Sequence, residues 1–138
     1  MSLPHKNKTL TTFLATLLGW FGTHRFYLYG KKSRAAWLYF SAVPLSIIAI
    51  SIFPNESLFL TLSPIILSAF IATIESLVIG LTADHTWDAK INPLSSRQTE
   101  SHWVLALILV STLTIATFIF LAMLARLTDL FLTGGAFG

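Results

Sequence analysis

Three side chains of this sequence could carry charge inside a membrane: Glu75, Arg25 and His24. Glu75 is the charged residue of a long apolar run, Leu58 to Thr82, and lies about two helical turns, roughly 10 Å, from the carboxyl end of that run. An unpaired carboxylate at that depth is costly or becomes protonated. We therefore predict that Glu75 accepts hydrogen bonds from Arg25 or His24. The competing hypotheses are a proton or ion relay through Glu75 and His24, and a Glu75 that reaches interfacial water.

A second group of polar side chains lies in the segment 83–102 and has the oxygen and nitrogen atoms that bind metals: Asp84, His85, Asp88 and His102. Their spacing matches no recognised ligand pattern, and Asp88 can equally pair with Lys90. We predict a solvated loop that holds no metal and no cofactor. The sequence has no nucleophile elbow, no phosphate-binding glycine loop and no His-Glu-x-x-His motif, so we predict no catalytic residues and no enzymatic activity.

Composition indicates that the bilayer is the solvent of this chain. Its 138 residues are 54% hydrophobic and 11% charged, with a mean hydropathy of +0.74. The absence of cysteine excludes disulfides and thiolate chemistry. The nine lysines and arginines stand in short clusters at the ends of apolar runs, which favours a role in membrane topology over nucleic-acid binding. Residues 1–138 are predicted to form a single integral membrane domain.

Four apolar runs must position these side chains, and we predict an all-α, polytopic membrane protein with a small bundle of four transmembrane helices. The second run, Ala35 to Phe53, follows a candidate N-cap at Ser33 and contains Pro44, a predicted kink. The short connection 54–57 makes the third run, Leu58 to Thr82, antiparallel to the second. The fourth run is Trp103 to Ala125.

The first run, Leu10 to Phe21, is short for a span. A basic leader precedes it, but the bulky Trp20 and Phe21 stand where a signal peptide would have small residues, so we predict a retained helix. Either the helix continues through Arg25 to Tyr29 and crosses the bilayer, or the chain dips into the membrane and returns.

The segment from Gly19 to Gly30 combines small residues, aromatic rings and a cation. Gly19 and Gly22, with Ala15 before them, form a small-residue face that lets another helix approach closely. We predict packing within the chain or between copies of it, with a partner-binding face as the alternative. The aromatic residues are expected at the depth of the lipid headgroups, namely Trp20, Phe26, Tyr27 and Tyr29.

The distribution of positive charge predicts the orientation. Loops 23–34 and 83–102 are rich in lysine and arginine and should be cytoplasmic, whereas the turn 54–57 has no such residue and should be extracytoplasmic. If the first run re-enters, the amino terminus is cytoplasmic as well. The cluster Lys31, Lys32 and Arg34 is expected to determine topology, and it could also attract anionic lipid headgroups.

These residues resemble a known family. Lys8-Thr9-Leu10, a short apolar helix, Gly19, Gly22, the string His24-Arg25-Phe26-Tyr27-Leu28 and then Gly30 before a second helix are similar to the two-transmembrane ("TM-two") domain family, over residues 8–53. The segment around Trp87 and Asp88 looks like a loop of longer, four-helix bacterial relatives, so residues 54–138 would add further spans. The resemblance implies a small integral protein of the bacterial inner (plasma) membrane, from a family whose bacterial members mostly lack an assigned biochemical role.

Three classes of function are compatible with this sequence. The first is a non-catalytic scaffold or accessory subunit that packs with itself or with other membrane proteins. The alternative is a component of a small transporter or ion or proton channel that uses Glu75. A membrane enzyme that acts on lipids comes last, because the sequence has no paired acid and base.

Overall fold

The computed structural model describes residues 4–136, whose regular secondary structure is entirely helical, with no strand among them. The helices are α1 (Lys8–Leu18), α2 (Thr23–Tyr29), α3 (Arg34–Ile52), α4 (Leu58–Thr61), α5 (Ser63–Leu81), α6 (Asp84–Ile91) and α7 (Trp103–Thr133). Short 3-10 turns, Gly19–Phe21 and Gly30–Lys32, flank α2. The predicted all-α class is therefore correct for the described part of the chain.

Helices α1 and α2 form a tight hairpin instead of one long helix. Asn7 caps α1, since its side chain accepts a hydrogen bond from the Leu10 amide at 3.0 Å. After Leu18 the chain tightens into the 3-10 turn and reverses at Gly22, which has a left-handed φ of 75°. The Tyr27 hydroxyl then accepts a hydrogen bond from the Asn7 amide at 3.1 Å, so α2 runs back toward the start of α1. A continuous helix through Arg25 to Tyr29 is not formed.

Helix α3 begins and ends close to the predicted positions. Its N-cap is Ser33, whose hydroxyl accepts a hydrogen bond from the Ala36 amide at 3.2 Å, and Pro44 lies inside the helix. The connection after α3 is short and leads directly into α4. The second and third apolar runs thus form the predicted helical hairpin.

The third run differs from prediction because it is divided into α4 and α5. Pro64 lacks an amide hydrogen, so it cannot donate to the carbonyl of Leu60 four residues earlier. The Ser63 hydroxyl donates to that carbonyl instead, at 2.7 Å. The helix consequently breaks at Leu62 and restarts at Ser63.

The segment 83–102 is more ordered than the solvated loop that we predicted. It contains α6, an eight-residue helix, and Trp87 of this helix is buried, with 4% of its surface exposed. Burial of this indole against the amino-terminal segment explains why the polar segment folds back. Helix α7 is also longer than the fourth run and ends at Thr133, where Gly134 adopts a left-handed conformation.

Three helices are long and apolar enough to cross a membrane: α3, α5 and α7. By length and hydropathy the chain is a multi-pass integral membrane protein. The predicted fourth span is not matched, because α1 has 11 residues, or about 16 Å, against a hydrocarbon core of about 30 Å. Large apolar side chains cover the outer faces of α3 and α7, as expected for surfaces in lipid.

Helix α5 lies at the centre and contacts α1, α3 and α7. Small residues make these approaches possible, as predicted for Gly19 and Gly22. A Cβ atom on Gly19 would overlap the side chain of Ala72 in α5, and one on Gly22 would lie 2.8 Å from the Ala36 carbonyl oxygen in α3. The small-residue face is thus used for packing within the chain.

Candidate functional site

Glu75 of α5 binds both of its predicted partners from α2, at the centre of the described structure. Arg25 Nε donates to Glu75 Oε2 at 2.9 Å, and Arg25 Nη2 donates to Glu75 Oε1. His24 Nε2 lies 2.7 Å from Glu75 Oε2. We call these three side chains the ion cluster. Both carboxylate oxygens are therefore engaged, in the bidentate geometry that makes arginine pairs strong.

Burial differs among the three members of the ion cluster. The side chain of His24 is 1% exposed, whereas those of Glu75 and Arg25 are 23% and 29% exposed. The turn that delivers them depends on Gly22, whose left-handed conformation starts α2 directly under α3. His24 and Arg25 are the second and third residues of α2, so the turn fixes their direction toward α5.

Tyr39 of α3 covers the ion cluster from the other side. Its ring meets His24 edge-on at a centroid distance of 5.6 Å, and the Arg25 guanidinium carbon lies 5.9 Å from the ring centre. The Tyr39 hydroxyl is buried beside Glu75 and interacts with its carboxylate, and His24 Nδ1 is buried without a hydrogen-bond partner. The approach of Tyr39 to the ion cluster could not be foreseen from the sequence, because Tyr39 stands within an apolar run.

The other motif residues are spread along the hairpin and the corner that follows it. Phe26 packs edge-on against Trp37 at 5.4 Å, the Lys6 ammonium lies 4.8 Å from the ring centre of Tyr27, and Gly30 has a φ of 65° in open space. We had expected Trp20 and Tyr27 at the same depth in the membrane, but the structure places them at different depths. Its carbonyl accepts a hydrogen bond from Ser68, which lies about 20 Å along α5 from Leu81.

Trp87 and Asp88 of α6 fasten the segment 83–102 rather than forming a reactive site. The Trp87 indole donates to the Lys6 carbonyl at 3.2 Å, and Asp88 Oδ2 accepts from the Thr99 amide at 2.6 Å. Asp88 thus binds Thr99 in place of the Lys90 pairing considered above. Within residues 4–136, no group of three or more His, Cys, Asp or Glu side chains is placed to hold a metal ion.

Sequence reasoning missed an ion pair that ties the start of α1 to α6. The Lys8 side chain is 3% exposed, and its ammonium donates to Asp84 Oδ1 at 2.8 Å and to the Thr82 carbonyl. Asp84 also accepts from the Ser101 amide at 2.8 Å. Lys8 looked like a topology signal in the sequence, and 76 positions separate it from Asp84, so no local pattern reveals the pair.

Asp84 makes this attachment dependent on pH. Desolvation raises the pKa of its carboxyl group, but hydrogen bonds from Lys8 and Ser101 outweigh desolvation and leave the pKa below its usual value. A lowered folded-state pKa contributes stability above the unfolded pKa, and that stability is lost as pH falls through the folded value. We expect the melting temperature in detergent to drop between about pH 5 and pH 2.

The matched variant for this prediction is Asp84→Asn, measured by the same thermal melts. It should be less stable than the parent at pH 7 and should lose less on acidification. The exposed Glu100→Gln variant serves as the control and should follow the parent. Parallel pH curves for the parent and Asp84→Asn would contradict the assignment.

A buried cluster of hydroxyl groups joins α1, α5 and α7. The Thr16 hydroxyl oxygen lies 2.8 Å from Ser76 Oγ and 2.6 Å from Thr112 Oγ1. Ser76 Oγ also lies 2.9 Å from the carbonyl oxygen of Thr12. Thr112 Oγ1 also lies within hydrogen-bond distance of the Ile108 carbonyl oxygen in its own helix, but the contacts between helices were not foreseen from the sequence.

We expect Thr112→Val to lower the free energy of unfolding by about 1 kcal/mol, because it removes a hydrogen bond between helices in an apolar setting. The measurement is unfolding by sodium dodecyl sulfate in mixed micelles. Thr114→Val is the matched control, since Thr114 donates only to Val110 of its own helix and is exposed. Equal losses for the two variants would show that the Thr16 contact contributes nothing.

Comparison with known proteins supports the resemblance noted in the sequence. The model of the TM2 domain family matches residues 4–53. No curated protein and no solved structure matches the chain. The matched region holds the α1–α2 hairpin and α3, so it supplies His24 and Arg25 of the ion cluster, whereas Glu75 lies outside it. Residues 4–53 of the chain thus match the TM2 domain family.

Proposed function

We propose that the protein is a non-catalytic membrane scaffold or accessory subunit that packs with copies of itself or with other membrane proteins. One observation carries this proposal: two groups of polar side chains inside the helix bundle bind one another across helices. Glu75 is engaged by Arg25 and His24, and Thr16 is engaged by Ser76 and Thr112. Groups that are committed in this way hold helices in register, which suits a rigid structural unit.

The proposal includes a topology in which the α1–α2 hairpin re-enters the membrane. Its support is the contact of the amino-terminal segment with α6, since the Lys6 amide donates to Asn92 Oδ1 at 2.8 Å and Lys8 pairs with Asp84. The hairpin therefore starts and ends on the side of residues 83–102. With that side cytoplasmic, the eight lysines and arginines that precede Arg126 fall on one side, as in inner-membrane proteins.

Cysteine labelling tests this topology, and the sequence offers a background free of cysteine. Single cysteines at positions 6, 31 and 90 should be shielded from a membrane-impermeant maleimide in intact cells, and a cysteine at position 55 should react. If position 6 also reacts while positions 31 and 90 remain shielded, α1 and α2 cross the bilayer. Reaction at 31 or 90 would overturn the orientation.

A second candidate is a small proton or ion channel component that uses Glu75. The observation in its favour is that Glu75 and Arg25 line two openings: a cleft of about 380 Å³ beside α6 and a groove of about 420 Å³ between α3 and α5. The ion cluster would then lie between two accessible spaces. The hydrogen bonds to both carboxylate oxygens of Glu75 favour the scaffold, because a relay group must release its partners to move a proton.

Purification in mild detergent and flux measurements in proteoliposomes separate the two candidates. A scaffold should purify as a defined oligomer or with a stoichiometric membrane partner, and its vesicles should conduct no more protons than empty ones. A monomer without a partner, combined with proton flux that Glu75→Gln abolishes, would replace the scaffold by the channel.

A further inference from the structure

The cleft beside α6 has features that neither the packing nor the ion cluster explains. It has a volume of about 380 Å³, within the range of small-molecule sites, and it opens between α2, α5 and α6. Its inner end reaches the Arg25–Glu75 pair. Its outer end is bordered by α6, close to the attachment of the amino-terminal segment.

Two hydrogen-bond donors at the outer end have no partner within residues 4–136. Thr86 and Lys90 both line the cleft, stand one helical turn apart on α6 and are exposed. None of the ion pairs in this part of the chain involves Lys90. Arg25 is neutralised by Glu75, so the cleft keeps one uncompensated positive charge, at Lys90.

The remaining wall of the cleft is apolar and turned toward lipid. Ile74 and Val78 of α5 line it and are 45% and 62% exposed, and Leu28 of α2 also lines the cleft. The cleft therefore joins a cationic, hydroxyl-bearing end to a hydrocarbon end along the direction of α5. This arrangement matches an amphiphile with an anionic head and an acyl chain.

We propose that this cleft binds one anionic phospholipid molecule, with its phosphate at Lys90 and Thr86 and an acyl chain along Ile74 and Val78. The charge match determines the choice of occupant. One phosphodiester carries a single negative charge, which would balance the unpaired positive charge of Lys90. The site is distinct from the cluster Lys31, Lys32 and Arg34, which attracts headgroups only by surface charge. It goes beyond the proposed scaffold function and does not depend on it.

The test is native mass spectrometry of the delipidated full chain with phosphatidylglycerol. One lipid should bind per chain, about fivefold more tightly than phosphatidylcholine, which has no net charge. Lys90→Gln should weaken phosphatidylglycerol binding about fivefold, and Val78→Trp, which fills the apolar end, should weaken both lipids. Lys32→Gln is the matched control and should change binding less than twofold.

Three outcomes would overturn the proposal. An equal loss with Lys32→Gln and Lys90→Gln would mean that diffuse surface charge attracts the lipid. Displacement by an excess of glycerol 3-phosphate would mean that the cleft takes a free phosphate and needs no acyl chain. Unchanged binding by Val78→Trp would place the lipid elsewhere. Thermal melts of both cleft variants verify that they remain folded, which their exposed positions favour.

Discussion

Replacing Glu75 by glutamine is expected to lower the free energy of unfolding by about 3 kcal/mol, the largest polar effect that we predict for this chain. Glutamine keeps the size of the side chain but leaves the Arg25 guanidinium without a countercharge and His24 Nε2 with a weaker partner. We take the lower end of the range for broken buried pairs because Arg25 and Glu75 are each about a quarter exposed. Unfolding by sodium dodecyl sulfate in mixed micelles measures the effect.

A double-mutant cycle shows whether the loss belongs to the contact. Arg25→Gln and Glu75→Gln should couple by about 2 kcal/mol, since the second change removes a partner that is already lost. The swapped pair Arg25→Glu with Glu75→Arg should recover part of the loss, but not all, because His24 would then face arginine. A swap that recovers nothing, with additive single effects, would disprove direct pairing.

Two controls distinguish the ion cluster from general sensitivity to substitution. Glu56→Gln changes an exposed carboxylate in the turn 54–57 and should have no measurable effect. Tyr39→Phe removes a buried hydroxyl that lies beside Glu75 without a hydrogen bond of good geometry, so it should cost much less stability than Glu75→Gln. A large loss with Tyr39→Phe would mean that the hydroxyl takes part in the cluster.

Gly22→Ala is expected to destabilise the protein by about 3 kcal/mol or more, through backbone strain and overlap together. Gly22 has a φ of 75°, which side chains rarely adopt, and a Cβ atom there would lie 2.8 Å from both the Ala36 carbonyl oxygen and the Tyr39 Cβ. Neither neighbour can move freely, because both belong to α3. The α1–α2 hairpin would have to separate from α3.

Gly134→Ala is the matched control, because Gly134 has nearly the same backbone conformation, with a φ of 68°, and nothing within 4 Å of its Cβ position. It should cost about 1 kcal/mol, the strain alone. Asparagine, which tolerates left-handed φ, should rescue position 134 and fail at position 22. Equal effects at both positions would mean that strain, and not the close approach of α3, makes Gly22 necessary.

Features with a strong local cause were predictable from the sequence. Ser33 precedes an apolar run and caps α3, and the short turn 54–57 forces a helical hairpin. The pairing of Glu75 was predictable for an energetic reason, because a carboxylate in an apolar helix needs a partner and few cations lie at a matching depth. The family resemblance covers the same amino-terminal region as the matched model.

Features that depend on distant contacts were not predictable. In the sequence, Lys8 cannot be distinguished from a lysine that determines topology. Only the fold shows that Lys8 pairs with Asp84. Thr112 resembles Thr114 in the sequence, yet only Thr112 meets another helix. Helix α6 has few apolar residues, so burial of Trp87, and not hydrophobic periodicity, holds it in place.

The central position of α5 imposes an order on assembly during synthesis. The α1–α2 hairpin leaves the ribosome first, but its partners come later: Glu75 follows Arg25 by 50 residues, and Thr112 follows Thr16 by 96. Until α5 is synthesised, Arg25 and His24 have no carboxylate to bind, so the hairpin is not yet fixed in its final position. Residues 4–53 alone would therefore lack the carboxylate partner of His24 and Arg25, which the helix after the matched region supplies.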